Sequence, residues 1–221
     1  TLALLFHDIG YVKNILVGDN GSDQVINADG ETHTLRDGDT DASLTPYHVE
    51  RGKLFIKQRN WHSDVDQDLL VDLISYTQFP IPMRSIASTT EEEKFQALAS
   101  LVGSADLIGQ LADPMYDIKI PRLFYEFSET GSASKMGYKT PADLREGYPS
   151  FYLNFVKPHI GNALKYLQVT DEGKSWVSSL NYHVFSQSHK AELEKSGIEL
   201  LNKITKMKVK NLKIEELISL I

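Results

Sequence analysis

Apolar residues open the chain. Leu2, Ala3, Leu4, Leu5 and Phe6 run without interruption into His7-Asp8-Ile9-Gly10, a pattern that predicts a buried helix over residues 1–12 ending near Gly10. The apolar pattern then dissolves. Residues 17–44 are rich in Gly, Asp, Asn and Ser and carry Asp19, Asp23, Asp29, Glu31, Asp37, Asp39 and Asp41. They predict a loop, long for a compact domain and therefore functional or mobile. Within it, Val25-Ile26 and Thr32 to Leu35 flank Asp29-Gly30 as the arms of a small hairpin.

Helical periodicity returns downstream. Thr45-Pro46 reads as a cap and first position of a helix running to about Asn60. Ser63 or Asp64 caps the next, with Val65, Leu69, Leu70, Leu73 and Ile74 at helical spacing, and Phe79-Pro80-Ile81-Pro82 ends it. Thr90-Glu91-Glu92-Glu93 opens a helix through about Leu111. Further helices are expected over about 121–130, from Thr140-Pro141, across a break at Lys157-Pro158, from Thr170-Asp171, and from about Lys190 to the end, where Lys203, Lys206, Lys208, Lys210 and Lys213 form a basic stretch. Residues 131–139 read as a polar linker. Strand signals are few, so the fold class is all-α.

Composition narrows the chemistry. There is no cysteine, which excludes disulfides, thiolate metal sites and a thiol nucleophile, so any metal needs nitrogen and oxygen ligands. A formal net charge of -7 argues against a nucleic-acid polymer as partner. No apolar run is long enough to cross a bilayer and no signal-peptide pattern is visible, so no membrane partner and a cytoplasmic location are expected. The chain begins at Thr1, directly inside an apolar run, which suggests that further residues precede it.

Two positions carry charge where burial is expected. His7 and Asp8 end the first apolar helix; a carboxylate there needs a partner or a metal, or else caps the helix in water. On the helix after Thr90, the stripe Phe95, Leu98, Ala99, Val102, Asp106 and Gly109 puts Asp106 on the buried face. Gly103, Ser104 and Ala105 beside it leave room for a backbone or an ion. A carboxylate hydrogen-bonded to a neighbouring helix would fit the same pattern.

Leu4-Leu5-Phe6-His7-Asp8-Ile9-Gly10 and Ser104-Ala105-Asp106-Leu107 together resemble the His-Asp signature and final aspartate motif of the HD superfamily of metal-dependent phosphohydrolases. The resemblance covers about residues 1–112. It implies an HD-domain-like helical bundle: a single all-helical domain, with a core over about 1–130 and a helical extension over about 131–221. It implies a divalent ion (Mn, Mg, Fe or Ni) held by His7, Asp8 and Asp106, with Asp8 also orienting water. The family's first His would lie upstream of residue 1, and Tyr11 stands where many relatives have Lys. His48-Val49-Glu50-Arg51-Gly52 is similar to the third-His motif of two-metal relatives, but no His lies near Tyr76-Thr77-Gln78, where the fourth would fall. A single ion, or a pair completed by water or Gln78, follows. Gly147-Tyr148-Pro149 spells a tripeptide of one family branch but falls after Asp106, out of order.

The function so implied is hydrolysis of a nucleotide or other small phosphate ester by a metal-activated water. His48, Arg51 and Lys53 are expected to bind substrate, with Lys57 a further candidate cation, and Glu50 or His48 to move a proton. The loop at 17–44 follows His7-Asp8 closely, which suggests a lid or specificity element. The alternatives are a catalytically reduced nucleotide-binding or regulatory module of the same fold, and a helical interaction protein. Residues after 131 would cover the core or form a homodimer surface.

Overall fold

Helix α1 (Leu2–Phe6) is short, and the chain turns through His7 and Asp8 into a 3-10 turn, Ile9–Tyr11. The expected single helix is therefore two pieces. The cause lies at Gly10. A Cβ there would stand 1.9 Å from the His48 carbonyl oxygen and 2.8 Å from the Gly52 nitrogen, so the turn can lie directly on helix α2 (His48–Lys57) only because Gly10 has no side chain. That crossing sets His7 and Asp8 beside His48. The computed structural model describes residues 1–82 and 87–208. Among them, nine α-helices and one two-stranded ribbon make an all-α fold.

The helix expected from Thr45 begins later. Thr40 accepts a hydrogen bond from the Ala42 N–H and caps a 3-10 turn, Asp41–Leu44, which buries Ala42 and Leu44. Helix α2 then starts at His48. Helix α3 (Gln67–Ile74) is capped by Asp66, whose Oδ1 accepts the Leu69 N–H at 2.9 Å, rather than by Ser63 or Asp64. Helix α4 (Thr90–Leu111) is capped one residue earlier than the run of glutamates suggests, and without a full capping box. Thr89 accepts the Glu92 N–H, and Glu92 accepts the Ser88 N–H at 2.7 Å. Gly103 lets α4 approach the turn after α3, since a Cβ there would stand 2.6 Å from the Tyr76 carbonyl oxygen.

Helix α5 (Tyr116–Glu129) begins before its expected start and contains Pro121. Pro121 has no N–H for the Asp117 carbonyl; the Arg145 Nη2 donates to that oxygen at 3.4 Å instead. A short α6 (Ser132–Lys135) lies in the polar linker. Helix α7 (Pro141–Phe151) starts where expected, with Thr140 and Asp143 forming a capping box, and a π-helical turn, Tyr152–Val156, leads into α8 (Lys157–Leu167). Helix α9 (Asp171–Lys208) is continuous where two elements were expected; Lys210 and Lys213 of the basic stretch lie outside the described residues.

Two apolar clusters form the core. One joins α1, α2, α3 and the middle of α4 through Ala3, Val49, Ile56, Leu70, Val71, Ile74 and Val102. The other joins the end of α4 to α5, α7, α8 and α9, with Tyr116, Ile120, Tyr148, Val156, Ile160 and Leu180 inside. Tyr148 of the Gly-Tyr-Pro tripeptide is a core residue of this second cluster. Because α4 belongs to both, Asp106 sits where the two clusters meet.

The segment 17–44 is packed rather than loose. Strands β1 (Asp23–Val25) and β2 (Thr32–Thr34) pair antiparallel, Gln24 with His33, close to the expected hairpin. Gln24 and Val25 are buried. At its far end, Thr40 is held on α5 by the Glu129 carboxylate, through its N–H at 2.9 Å and its hydroxyl at 2.6 Å.

Candidate functional site

His7 closes α1 and donates its Nδ1–H to the Leu4 carbonyl oxygen at 2.8 Å. A carbonyl only accepts, so Nδ1 carries the proton and Nε2 points the other way. There Nε2 lies 3.3 Å from an Asp8 oxygen and 3.3 Å from Asp106 Oδ1. His48, first residue of α2, repeats the arrangement. Its Nδ1 donates to the Thr45 carbonyl at 2.7 Å, and its Nε2 lies 4.0 Å from the other Asp8 oxygen. The Tyr11 ring stacks on His48 with centroids 4.4 Å apart and planes 16° apart. Thus α1, the turn after it, α2 and α4 each bring a group to one point.

The electrostatics follow from that convergence. The hydrogen bond to Asp106, aided by the charges of both carboxylates, raises the His7 pKa to about 9 against the opposing effect of burial. Burial first, and then the charge of Asp106, push the Asp8 carboxyl upward, while His7 and His48 oppose them. The Asp106 side chain is 10% exposed and that of Asp8 55%, so the cluster opens to solvent on the Asp8 side. Gln110 donates to Asp106 Oδ1 at 2.7 Å, one helical turn along α4. Burial raises the Tyr11 phenol, which also lies in the field of Asp8, Glu126 and Asp106. Gln110, Thr45, Tyr11 and Glu126 are neighbours that sequence reasoning did not assign. Only Gln110 carried a local signal, its position four residues after Asp106 on a helix.

Of the expected site residues, His7, Asp8, Asp106 and His48 come together, and the others do not. Arg51 is fully buried, and its whole guanidinium is engaged. Nε donates to the Gly10 carbonyl at 2.7 Å, Nη1 to Asp19 Oδ1 at 3.1 Å and to the Val25 carbonyl. Nη2 donates to the Val12 carbonyl at 3.0 Å and Asp19 Oδ2 at 3.1 Å. It holds the 17–44 segment, not a substrate. Glu50 and Lys53 pair with each other at 2.7 Å. Glu50 follows His48 by two residues, about 200° around the helix, and so faces away from the cluster.

A family model described as Npun_R2479-like matches residues 1–190. The chain belongs to the Npun_R2479-like family. Comparison with curated proteins and with solved structures gave no match. The matched span of this family member takes in His7, Asp8, His48 and Asp106, all nine helices' starts, and the packed half of α9.

The donor set suits a hard divalent ion in kind, being imidazole and carboxylate only. Both imidazoles present Nε2 while Nδ1–H is held by a backbone carbonyl, the orientation that metal-binding histidines adopt. As they stand, however, no three of the described His, Asp or Glu side chains are arranged to hold an ion. The His7 ring itself bridges the two carboxylates. A cleft of about 510 Å³ between α4, α8 and the Ile81-Pro82 segment lies elsewhere and is lined by Ser100, His159, Asn162 and Lys165. No described helix is long and apolar enough to cross a membrane.

Proposed function

We propose that the chain is a metal-dependent phosphohydrolase of the HD kind, acting on a nucleotide or another small phosphate ester. The observation that supports this most is the convergence of His7, Asp8, Asp106 and His48, with both imidazoles presenting Nε2 to carboxylates. His7, Asp8 and Asp106 would hold the ion, which would take over from the His7 proton as the positive charge that the carboxylates share. When bound, such an ion acidifies a water molecule and neutralises charge on a phosphoryl group.

The protein's own groups then have distinct roles. Asp8, the exposed carboxylate, orients the attacking water by accepting a proton in a hydrogen bond. His48, with its Nδ1–H fixed by Thr45, exposes Nε2 to take or give a proton near the leaving group. Gln110 keeps Asp106 in place. Arg51 contributes only through the fold.

A second reading, a nucleotide-binding module with reduced turnover, is favoured by one observation: His7 is ion-paired with both carboxylates, and no described trio is set for a metal. Metal content and phosphate release separate the two. Wild type and Asp106→Ala would be loaded with Mn²⁺, dialysed and analysed by mass spectrometry, with a nucleotide panel assayed on the same samples. Stoichiometric metal in wild type, lost in Asp106→Ala, with metal-dependent release, is the expected result. Metal without release supports the second reading, and no metal in wild type sinks the first.

A further inference from the structure

An anionic ligand at this cluster meets an environment short of lysine and arginine. Asp8 and Asp106 face it, and Glu126 of α5 adds its field at Tyr11. Among the described residues, no Lys or Arg pairs with Asp8 or Asp106. Arg51 is consumed by Asp19 and four other acceptors, and Lys53 by Glu50. A phosphate ester therefore needs neutral donors. One lies beside the cluster: the Tyr11 hydroxyl, whose ring stacks on the His48 ring.

The Tyr11 hydroxyl has one hydrogen bond, to Thr45 Oγ1 at 3.4 Å, well beyond the usual O–H···O distance. A long bond to a neutral acceptor is readily exchanged for a short one to an anionic oxygen. We propose that Tyr11 is a substrate-contacting residue, its hydroxyl donating to a phosphoryl oxygen where a lysine or arginine would otherwise serve. The role rests on the phosphohydrolase reading for its ligand, but not on turnover. Burial keeps the phenol protonated, so the group is a donor throughout the neutral range. The stack does a second job: it fixes the plane of His48 and so the direction of Nε2.

The test uses the whole chain with inorganic phosphate as probe, titrated by calorimetry with and without Mn²⁺, and Mn²⁺ titrated alone. Tyr11→Phe keeps the stack and removes only the hydroxyl. Its Mn²⁺ affinity and melting temperature should match wild type, while phosphate binds roughly tenfold or more weakly, the loss expected for one hydrogen bond to a charged group. Thr45→Val removes the competing acceptor while its carbonyl still holds His48, and should leave phosphate affinity equal to or higher than wild type. Equal phosphate affinity in Tyr11→Phe and wild type overturns the proposal. So does a wild type that takes up Mn²⁺ but no phosphate, an outcome that spares the metal reading. A wild type that takes up no Mn²⁺ overturns the metal reading instead. The metal-free phosphate titration then decides Tyr11 alone: binding weakened in Tyr11→Phe supports it, and no binding overturns it.

Discussion

Arg51 and His48 lie three residues apart on α2, yet one anchors the fold and the other faces the cluster. Residue type did not separate them; the surroundings did. Arg51 and Asp19 have side chains 0% and 1% exposed, and the carboxylate also accepts the Leu16 and Val25 N–H groups. Removing one partner of such a pair leaves the other buried and uncompensated, at about 3–5 kcal/mol. Asp19→Asn should therefore unfold at markedly lower urea than wild type at pH 7. Burial pushes the Asp19 pKa up, but hydrogen bonds from Arg51, Leu16 and Val25, and the Arg51 charge, more than offset it, so the pKa is lowered from 3.8. A lowered carboxyl pKa gives stability that is fully present above 3.8 and is lost as the pH falls through the folded value. The gap between wild type and Asp19→Asn should narrow below about pH 4, and a gap that holds constant to acid pH would contradict this account. Gln110→Ala tests the support of Asp106: Mn²⁺ affinity should fall roughly 10–100-fold with the melting temperature little changed.

Among elements, the crossing of the Ile9–Tyr11 turn over α2 decides the site. A methyl group at Gly10 would meet the His48 carbonyl at 1.9 Å, with backbone on both sides and no flexible side chain to yield. Gly10→Ala should lower stability by several kcal/mol, an overpacking cost at or above the usual ~1–3 kcal/mol. Where the protein still folds, His48 should lose its approach to Asp8; Mn²⁺ binding and thermal melting read the two effects separately. Gly109→Ala is the control, since nothing lies within 4 Å of a Cβ there. The same geometry explains the broken first helix. Its apolar residues fit a helix through Gly10, but a continuous helix would not set His7 toward α4 and Gly10 on α2 together.

For the whole molecule, α9 has two halves. Gly173, Leu180, His183 and Gln187 are buried against the body, whereas residues 195–199 are all exposed, and the family match ends at residue 190. A chain ending at residue 194 should melt within a degree or two of the full one and keep its Mn²⁺ affinity. A drop of ten degrees would show that the outer half of α9 supports the core. Association of the full chain but not the shortened one, measured by sedimentation, would place a dimer surface there.

The all-α class, the helix start at Thr140-Pro141, the small hairpin near Asp29-Gly30, and the inward face of Asp106 were legible in the sequence, because each depends on residues within a few positions of one another. Charge at the edge of an apolar stripe marked His7, Asp8 and Asp106 locally, and it was the resemblance to the HD signature that joined them into one set. What the tertiary structure alone decided is non-local. Whether α2 offers the cluster His48 or Arg51 depends on which face Gly10 crosses. The 17–44 segment is rich in loop-forming residues, yet it is fastened by Arg51 from a helix outside it. Thr45 and Tyr11 became site neighbours only when α1, α2 and α4 met. Hydrogen-bond partners across such crossings leave no periodic trace along the chain, so geometry supplied what pattern did not.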